Sequence, residues 1–176
     1  MNITSLKRAL KREISHDELL PVTLLNFQRT WSASESVFSE KLNRVIKAIF
    51  LDVQPVKGKY LNGIIFEASE EEIRNLALRE KNYELVRVTD LIKAEDKYLI
   101  SKSADVFTFT SKMDVRPQKD DKNSFVLRRY VQMVEDACLA FGVTFQKEYW
   151  ATTEPIPFEL LDGGYKFVDE EQAKHV

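Results

Sequence analysis

The chain has 176 residues, 44% of them hydrophobic and 31% charged, a length and mix that suit one ordinary domain and exclude a disordered chain. Its 26 Lys and Arg against 28 Asp and Glu leave a net charge of -2, which argues against nucleic acid or an anionic membrane as partner. A single cysteine excludes a disulfide framework and a Cys-rich zinc site, and two histidines far apart in sequence, His16 and His175, argue against a His-based metal centre or triad.

The five glycines form neither a G-x-G-x-x-G run nor a phosphate loop. No apolar run approaches the ~18–20 residues of a membrane span, and Met1 to Arg8 lacks the apolar stretch of a signal peptide. The expectation is a cytoplasmic protein with a reduced thiol.

In chain order, Ile3, Leu6, Leu10 and Ile14 recur at helical spacing, so the first fourteen residues read as a short amphipathic helix. Residues 19–28 read as an extended segment entered through Pro21. From Val45 to Val53 apolar residues fall on both faces of an alternating run, the pattern of an interior strand. Asp52 ends one of those faces. Pro55 and Gly58 are expected to turn the chain, with Tyr60 to Glu67 returning as a second strand.

Ser69 followed by Glu70, Glu71 and Glu72 is a helix start with a capping box, and the helix should run to about Arg79 or Glu80. Tyr83 to Val88, Tyr98 to Ser101 and Val106 to Thr110 read as extended. Asp114 to Asn123, with Pro117, reads as a surface loop. Ser124 is expected to cap the strongest helix, whose stripe runs through Phe125, Val126, Leu127, Tyr130, Val131, Val134, Cys138 and Phe141, with Gly142 as the stop. Asp162 to Gly164 reads as a turn before a last short extended piece, and the acidic tail, about 166–176, is expected to fray.

Glu80 is the most informative residue. It lies seven residues after Ile73, four after Leu76 and three after Ala77, so it points where the helix points its apolar face. A carboxylate against apolar neighbours has its charged form disfavoured, which suits a general acid/base near neutrality. The competing reading is a helix-end carboxylate that swings to solvent or pairs with Arg79, Lys81 or Arg87. Cys138, on an apolar stripe, reads as a small buried hydrophobe, and His16, in a polar turn, as a solvated residue. Tyr83 and Tyr149 could orient a substrate or Glu80 through their hydroxyls, or could simply be packed.

The run Gly63 to Ile73, then Leu76 to Val88 with Glu80 three residues before Tyr83, resembles the centre of the γ-glutamylcyclotransferase-like family. Asn26 to Trp31 is similar to that family's early strand, and Arg128 to Gly142, Phe145 and Tyr149 to its late helix and the segment after it, so the resemblance spans roughly residues 4 to 165. It implies an α+β fold, a small mixed, barrel-like β-sheet with surrounding helices, in one domain over residues 1–176. It implies a reaction in which the α-amino group of a γ-glutamyl amine or peptide attacks the γ-carbonyl, releasing 5-oxoproline and an amine without metal or cofactor. Glu80 would be the general acid/base, and Tyr83 and Tyr149 would bind substrate.

The family opens with a strand and a Tyr-Gly-Ser-Leu-like loop whose backbone amides hold the substrate's glutamyl group. Met1 to Leu10 resembles the segment immediately after that loop, with Leu6 and Leu10 matching the family's first helix. The resemblance therefore leaves two expectations: an enzyme whose chain starts upstream of Met1, or a non-catalytic binding or interaction module that has lost the loop. The expected ligand is a small γ-glutamyl compound, with no nucleic acid and no membrane.

Overall fold

In the computed structural model, residues 3–80, 82–94, 104–112, 117 and 121–169 are described. Two long strands, β1 (Leu20–Ser39) and β2 (Arg44–Ile65), form an antiparallel hairpin that runs from Leu20 opposite Ile65 to Ser39 opposite Arg44. The reversal is made at 40–43, where Asn43 takes φ 50° and the Ser39 hydroxyl accepts the Leu42 N–H at 3.2 Å.

Pro55 and Gly58 therefore do not turn the chain as expected. Leu25 pairs with Tyr60 and Phe27 with Pro55, so Val56 to Lys59 stand opposite Asn26 alone, as an outward bulge inside one continuous strand. Gly58 adopts φ 78°, Asn26 φ 59°, and the Gly58 N–H donates to Asn26 Oδ1 at 3.0 Å. A second irregularity places Trp31 and Ser32 against Leu51. Bulges bend a strand and re-aim side chains; here Trp31 is buried, and the Ser32 hydroxyl donates to Asp52 at 3.0 Å.

Four short strands extend this sheet: β4 (Ile92–Lys93) and β8 (Tyr165–Phe167) pair antiparallel with β1, β6 (Ser124–Leu127) pairs parallel with β2, and β7 (Glu159–Leu161) pairs parallel with β6. The order β4-β1-β2-β6-β7 is mixed, as expected, but no ladder closes it into a barrel among the described residues. A separate ribbon pairs β3 (Tyr83–Arg87) with β5 (Phe107–Ser111). The helices are α1 (Ile3–Leu10), α2 (Glu70–Arg79), α3 (Arg128–Leu139) and α4 (Val143–Ala151). The class is mixed α+β.

Three expectations change. The first helix stops at Leu10, with Lys11 at φ 55°, although Ile14 is still buried in the core beside Leu6 and Leu10. Ser124 caps no helix: Ser124 to Leu127 are all buried as a strand between β2 and β7. A short apolar run fits a parallel interior strand as well as a helix turn, and periodicity does not separate them. Past Tyr165 the chain does not fray at once, because Lys166 and Phe167 pair with β1 and the Phe167 ring stacks on Phe50 at 5.9 Å. The expected strand at Tyr98 to Ser101 and most of the tail lie outside the described residues, as does much of the expected loop at Asp114 to Asn123. No described helix is long and apolar enough to cross a membrane.

Candidate active site

A cleft of about 1530 Å³ runs between α1, the end of β2, α2, β5 and α3; Leu6, Ile64, Phe66, Phe109 and Val134 contribute to its apolar lining. Glu80 and Tyr149 both line it.

Glu80 is placed by the end of α2. The helix starts at the expected residue, with the Ser69 hydroxyl accepting the Glu72 N–H at 3.2 Å and the Glu72 carboxylate accepting the Ser69 N–H at 2.7 Å. Arg12 adds a second anchor, donating to Glu72 at 2.7 Å and to the Glu67 carbonyl at 3.0 Å. The Ser69 N–H and then Arg12 hold the Glu72 carboxyl below its usual range. At the other end Glu80 has left helical geometry (φ -87°, ψ 44°) while its N–H still donates to the Leu76 carbonyl at 2.9 Å. Ile73 and Leu76 line the cleft with it; Ala77 is exposed, so the apolar face is narrower than the spacing implied.

Tyr83 follows at once. Its N–H donates to the Glu80 carbonyl at 2.8 Å, and it opens β3 opposite Ser111. Burial pushes its phenol pKa up, and the negative charges of Glu80, Asp52 and Glu35 push it further. All three carboxylates therefore lie within electrostatic reach of the Tyr83 phenol, where the ribbon meets β1 and β2. Tyr83 adjoins Glu80 there without being part of the cleft lining.

Asp52 is the structural node behind this point, and sequence reasoning missed its role. Only 5% exposed, it accepts the Val53 N–H at 2.8 Å and the Ser111 N–H at 3.0 Å, together with the Ser32, Ser111 and Gln54 side chains. The signal was present, as a carboxylate at the end of the face carrying Ile46, Ala48 and Phe50. Asn82 makes the matching tie on the other side, donating to Glu35 at 2.7 Å while its carbonyl accepts the Lys112 N–H at 2.9 Å.

Tyr149 lies on α4 with the Arg29 guanidinium over its ring, 3.4 Å from the centroid. Burial raises its phenol pKa and Arg29 pulls it back, to about 12. Tyr130, half-buried, accepts the Leu51 N–H at 3.2 Å, and burial drives its pKa well up, with Tyr149 and Tyr83 among its electrostatic neighbours. The three phenols thus cluster on one side of the molecule, with Glu80 beside Tyr83.

Cys138 is buried as expected, and burial pushes its thiol up to about 11, away from nucleophilic use. His16 is exposed but not simply solvated: its ring stacks on Phe141 at 4.6 Å, with Nε2 3.2 Å from the Ala140 carbonyl. Among the described residues no three His, Cys, Asp or Glu side chains gather to hold a metal ion.

No family model matches the chain, and no curated protein matches it. Among solved structures it is similar to the solution structure of At5g39720.1 from Arabidopsis thaliana, at 19% identity over 88% of each chain with a TM-score of 0.41.

Proposed function

We propose that this chain is a γ-glutamylcyclotransferase-like enzyme, a single cytoplasmic domain that cyclises a small γ-glutamyl amine or peptide to 5-oxoproline and releases the amine. The observation that carries the reading is the position of Glu80: a carboxylate at a helix end, lining an apolar cleft, with Tyr83 bonded to its carbonyl through the backbone.

In this reaction Glu80 takes a proton from the substrate's α-ammonium group, and the freed amine attacks the γ-carbonyl. The tetrahedral oxyanion collapses, the bond to the leaving nitrogen breaks, and Glu80 returns its proton to that nitrogen. The second proton, shed by the attacking nitrogen as it becomes the lactam N–H, leaves with the amine, which departs as an ammonium ion. One group serves both directions because the proton it accepts is the proton it returns, and Leu76 and Phe109 line the cleft with it. The attack is intramolecular, so holding the substrate folded supplies much of the acceleration. Tyr149, on the same cleft, supplies a hydroxyl that can bind substrate, and Tyr83 orients Glu80.

The test is 5-oxoproline release from γ-glutamyl amino acids and γ-glutamyl amines by the wild type and by Glu80→Gln. Release that falls by at least about a hundredfold in Glu80→Gln, the lower range for general acid/base catalysis, supports the reading. Release unchanged by that substitution overturns the role of Glu80. Binding of these compounds with no release from a wild-type chain extended upstream of Met1 assigns the protein to the non-catalytic binding module instead.

A further inference from the structure

Arg29 is a buried cation with neutral partners. It is 4% exposed, and its guanidinium donates to the Tyr149 carbonyl at 2.9 Å, to the Thr153 and Thr152 hydroxyls at 3.0 and 3.4 Å, and to the Asn62 carbonyl. These acceptors are all uncharged; the Glu148 carboxylate, one position before Tyr149, attracts the guanidinium through space without being among them. Burying a charge costs several kcal/mol unless an opposite charge approaches, on the order of the penalties seen for unpaired ions. Carbonyl dipoles, the Tyr149 ring and the more distant Glu148 charge offset part of that cost, while the hydrogen-bond acceptors themselves stay neutral.

That charge lies directly behind the cleft. Tyr149, Cys138 and Tyr130, all within electrostatic reach of the guanidinium, line the cleft. Each carries a hydrogen it can donate. The Tyr130 oxygen already accepts the Leu51 N–H, so its own proton is available to point elsewhere. The wall therefore presents phenol and thiol donors with a positive charge at their backs, inside an apolar surround that strengthens electrostatic attraction. A cationic ligand group is disfavoured there, and a neutral one makes little use of the charge.

We propose that Arg29 and Tyr149 form a carboxylate-binding wall of the cleft: the Tyr149 hydroxyl donates to a carboxylate of a small, otherwise apolar or amino-acid-like ligand, and the guanidinium under its ring balances the ligand's charge. Arg29 is the positioning residue, because its bonds to the Tyr149 carbonyl and to Thr153 fix the end of α4 while its face fixes the ring. The choice of an amino-acid carboxylate rests on the proposed reaction; binding of a simple carboxylate does not.

The experiment measures binding by calorimetry, using hexanoate against hexanamide and 5-oxoproline against its neutral amide. For the wild type the carboxylate of each pair should bind at least about tenfold more tightly than the amide, the gain expected of a charge-assisted hydrogen bond. Tyr149→Phe keeps the ring on Arg29 and should bring that preference close to one with the melting temperature little changed. Arg29→Lys keeps the charge without the stacked plane and should retain part of the preference. Equal binding of acid and amide by the wild type overturns the inference, as does an undiminished preference in Tyr149→Phe. Should Arg29→Lys fail to fold, Tyr149→Phe decides alone. Hexanoate preference without 5-oxoproline release from γ-glutamyl compounds upholds the carboxylate wall and rejects the cyclisation; release without any carboxylate preference does the reverse.

Discussion

Replacing Asp52 probes the node that ties β2 to β5 beneath Glu80 and Tyr83. Its two oxygens divide the work: Oδ1 accepts the backbone N–H groups of Val53 and Ser111, and Oδ2 accepts the Ser32, Ser111 and Gln54 side chains. In Asp52→Asn the retained carbonyl can keep both backbone donors. The new amide group then faces two hydroxyls that can rotate to accept and a Gln54 amide that can flip. The loss is that of charge-assisted bonds becoming neutral ones, about 2 kcal/mol. Asp52→Ala removes every acceptor, and the two backbone donors are held by the strands and cannot turn away. Each buried orphan donor costs about 1–3 kcal/mol, so Asp52→Ala should lose about 4 kcal/mol. At roughly 2–4 °C per kcal/mol for a chain of this size, the melting temperature should fall by about 4–8 °C and about 8–16 °C respectively. Urea titration followed by circular dichroism, with the slope checked against the wild type, reads both values. A double-mutant cycle with Ser111→Ala should return a coupling of at least about 1 kcal/mol, because the two side chains share one bond. Asp52→Ala within about 1 kcal/mol of wild type, or no coupling to Ser111, would refute the account of Asp52 as the node.

Further expectations concern pH, backbone conformation and capping. Burial raises the pKa values of Tyr83, Tyr130, Tyr149, Tyr165 and Cys138 above those of the unfolded chain. The unfolded chain therefore loses these protons first, so stability is full below about pH 9 and is lost as pH climbs through the folded values, about 11 for Cys138 and about 12 for Tyr149. Each group steepens the loss by up to about 1.4 kcal/mol per pH unit, and urea midpoints that stay flat from pH 8 to 11.5 would contradict this. Gly58→Ala meets no atom within 4 Å but forces an L side chain to φ 78°, so it should cost about 1 kcal/mol by thermal unfolding. Gly63→Ala, at an ordinary φ with its nearest contact at 3.9 Å, should be close to neutral in the same assay. Ser69→Ala should lose about 1 kcal/mol through the missing cap, and unchanged stability would show that Arg12 alone holds the start of α2.

The parts of the fold visible in the sequence are those with a local cause. Ser69 to Glu72 specify a capping box by chemistry within one turn, and α2 begins there. Tyr83 to Val88 and Val106 to Thr110 carry β-branched and aromatic residues and form the paired ribbon, within one residue of the expected ends. Where partners come from afar, local reading fails. Gly58 and Pro55 resemble a turn, but β1 supplies a partner on both sides of them, and the strand passes through with a bulge. Phe125 to Leu127 fit a helix stripe until β2 and β7 are known to flank them. The site divides in the same way. Helix spacing points to Glu80, which lines the cleft although it has left helical geometry, whereas Asp52 and Arg29 matter because of residues up to 124 positions distant, such as Thr153. Each nevertheless left a trace as a charge on an apolar strand face.

These distant ties explain why Glu80 can be held in one place although it lies at a helix end, where chains usually fray. The segment from Glu80 to Tyr83 is anchored by backbone at both ends, through Leu76 on one side and the β3–β5 pairing on the other. Asn82 adds a side-chain tie to Glu35 on β1, and Asp52 on β2 fixes Ser111, the ladder partner of Tyr83. The two long strands therefore grip the segment from beneath, and Glu80 lines the cleft. In the proposed cyclisation, a carboxylate on a segment held this way would lose little further freedom on substrate binding, which is the preorganisation acid/base chemistry needs. The same logic makes Asp52 an indirect lever on Glu80, since loosening Ser111 loosens Tyr83 and the turn that carries the carboxylate.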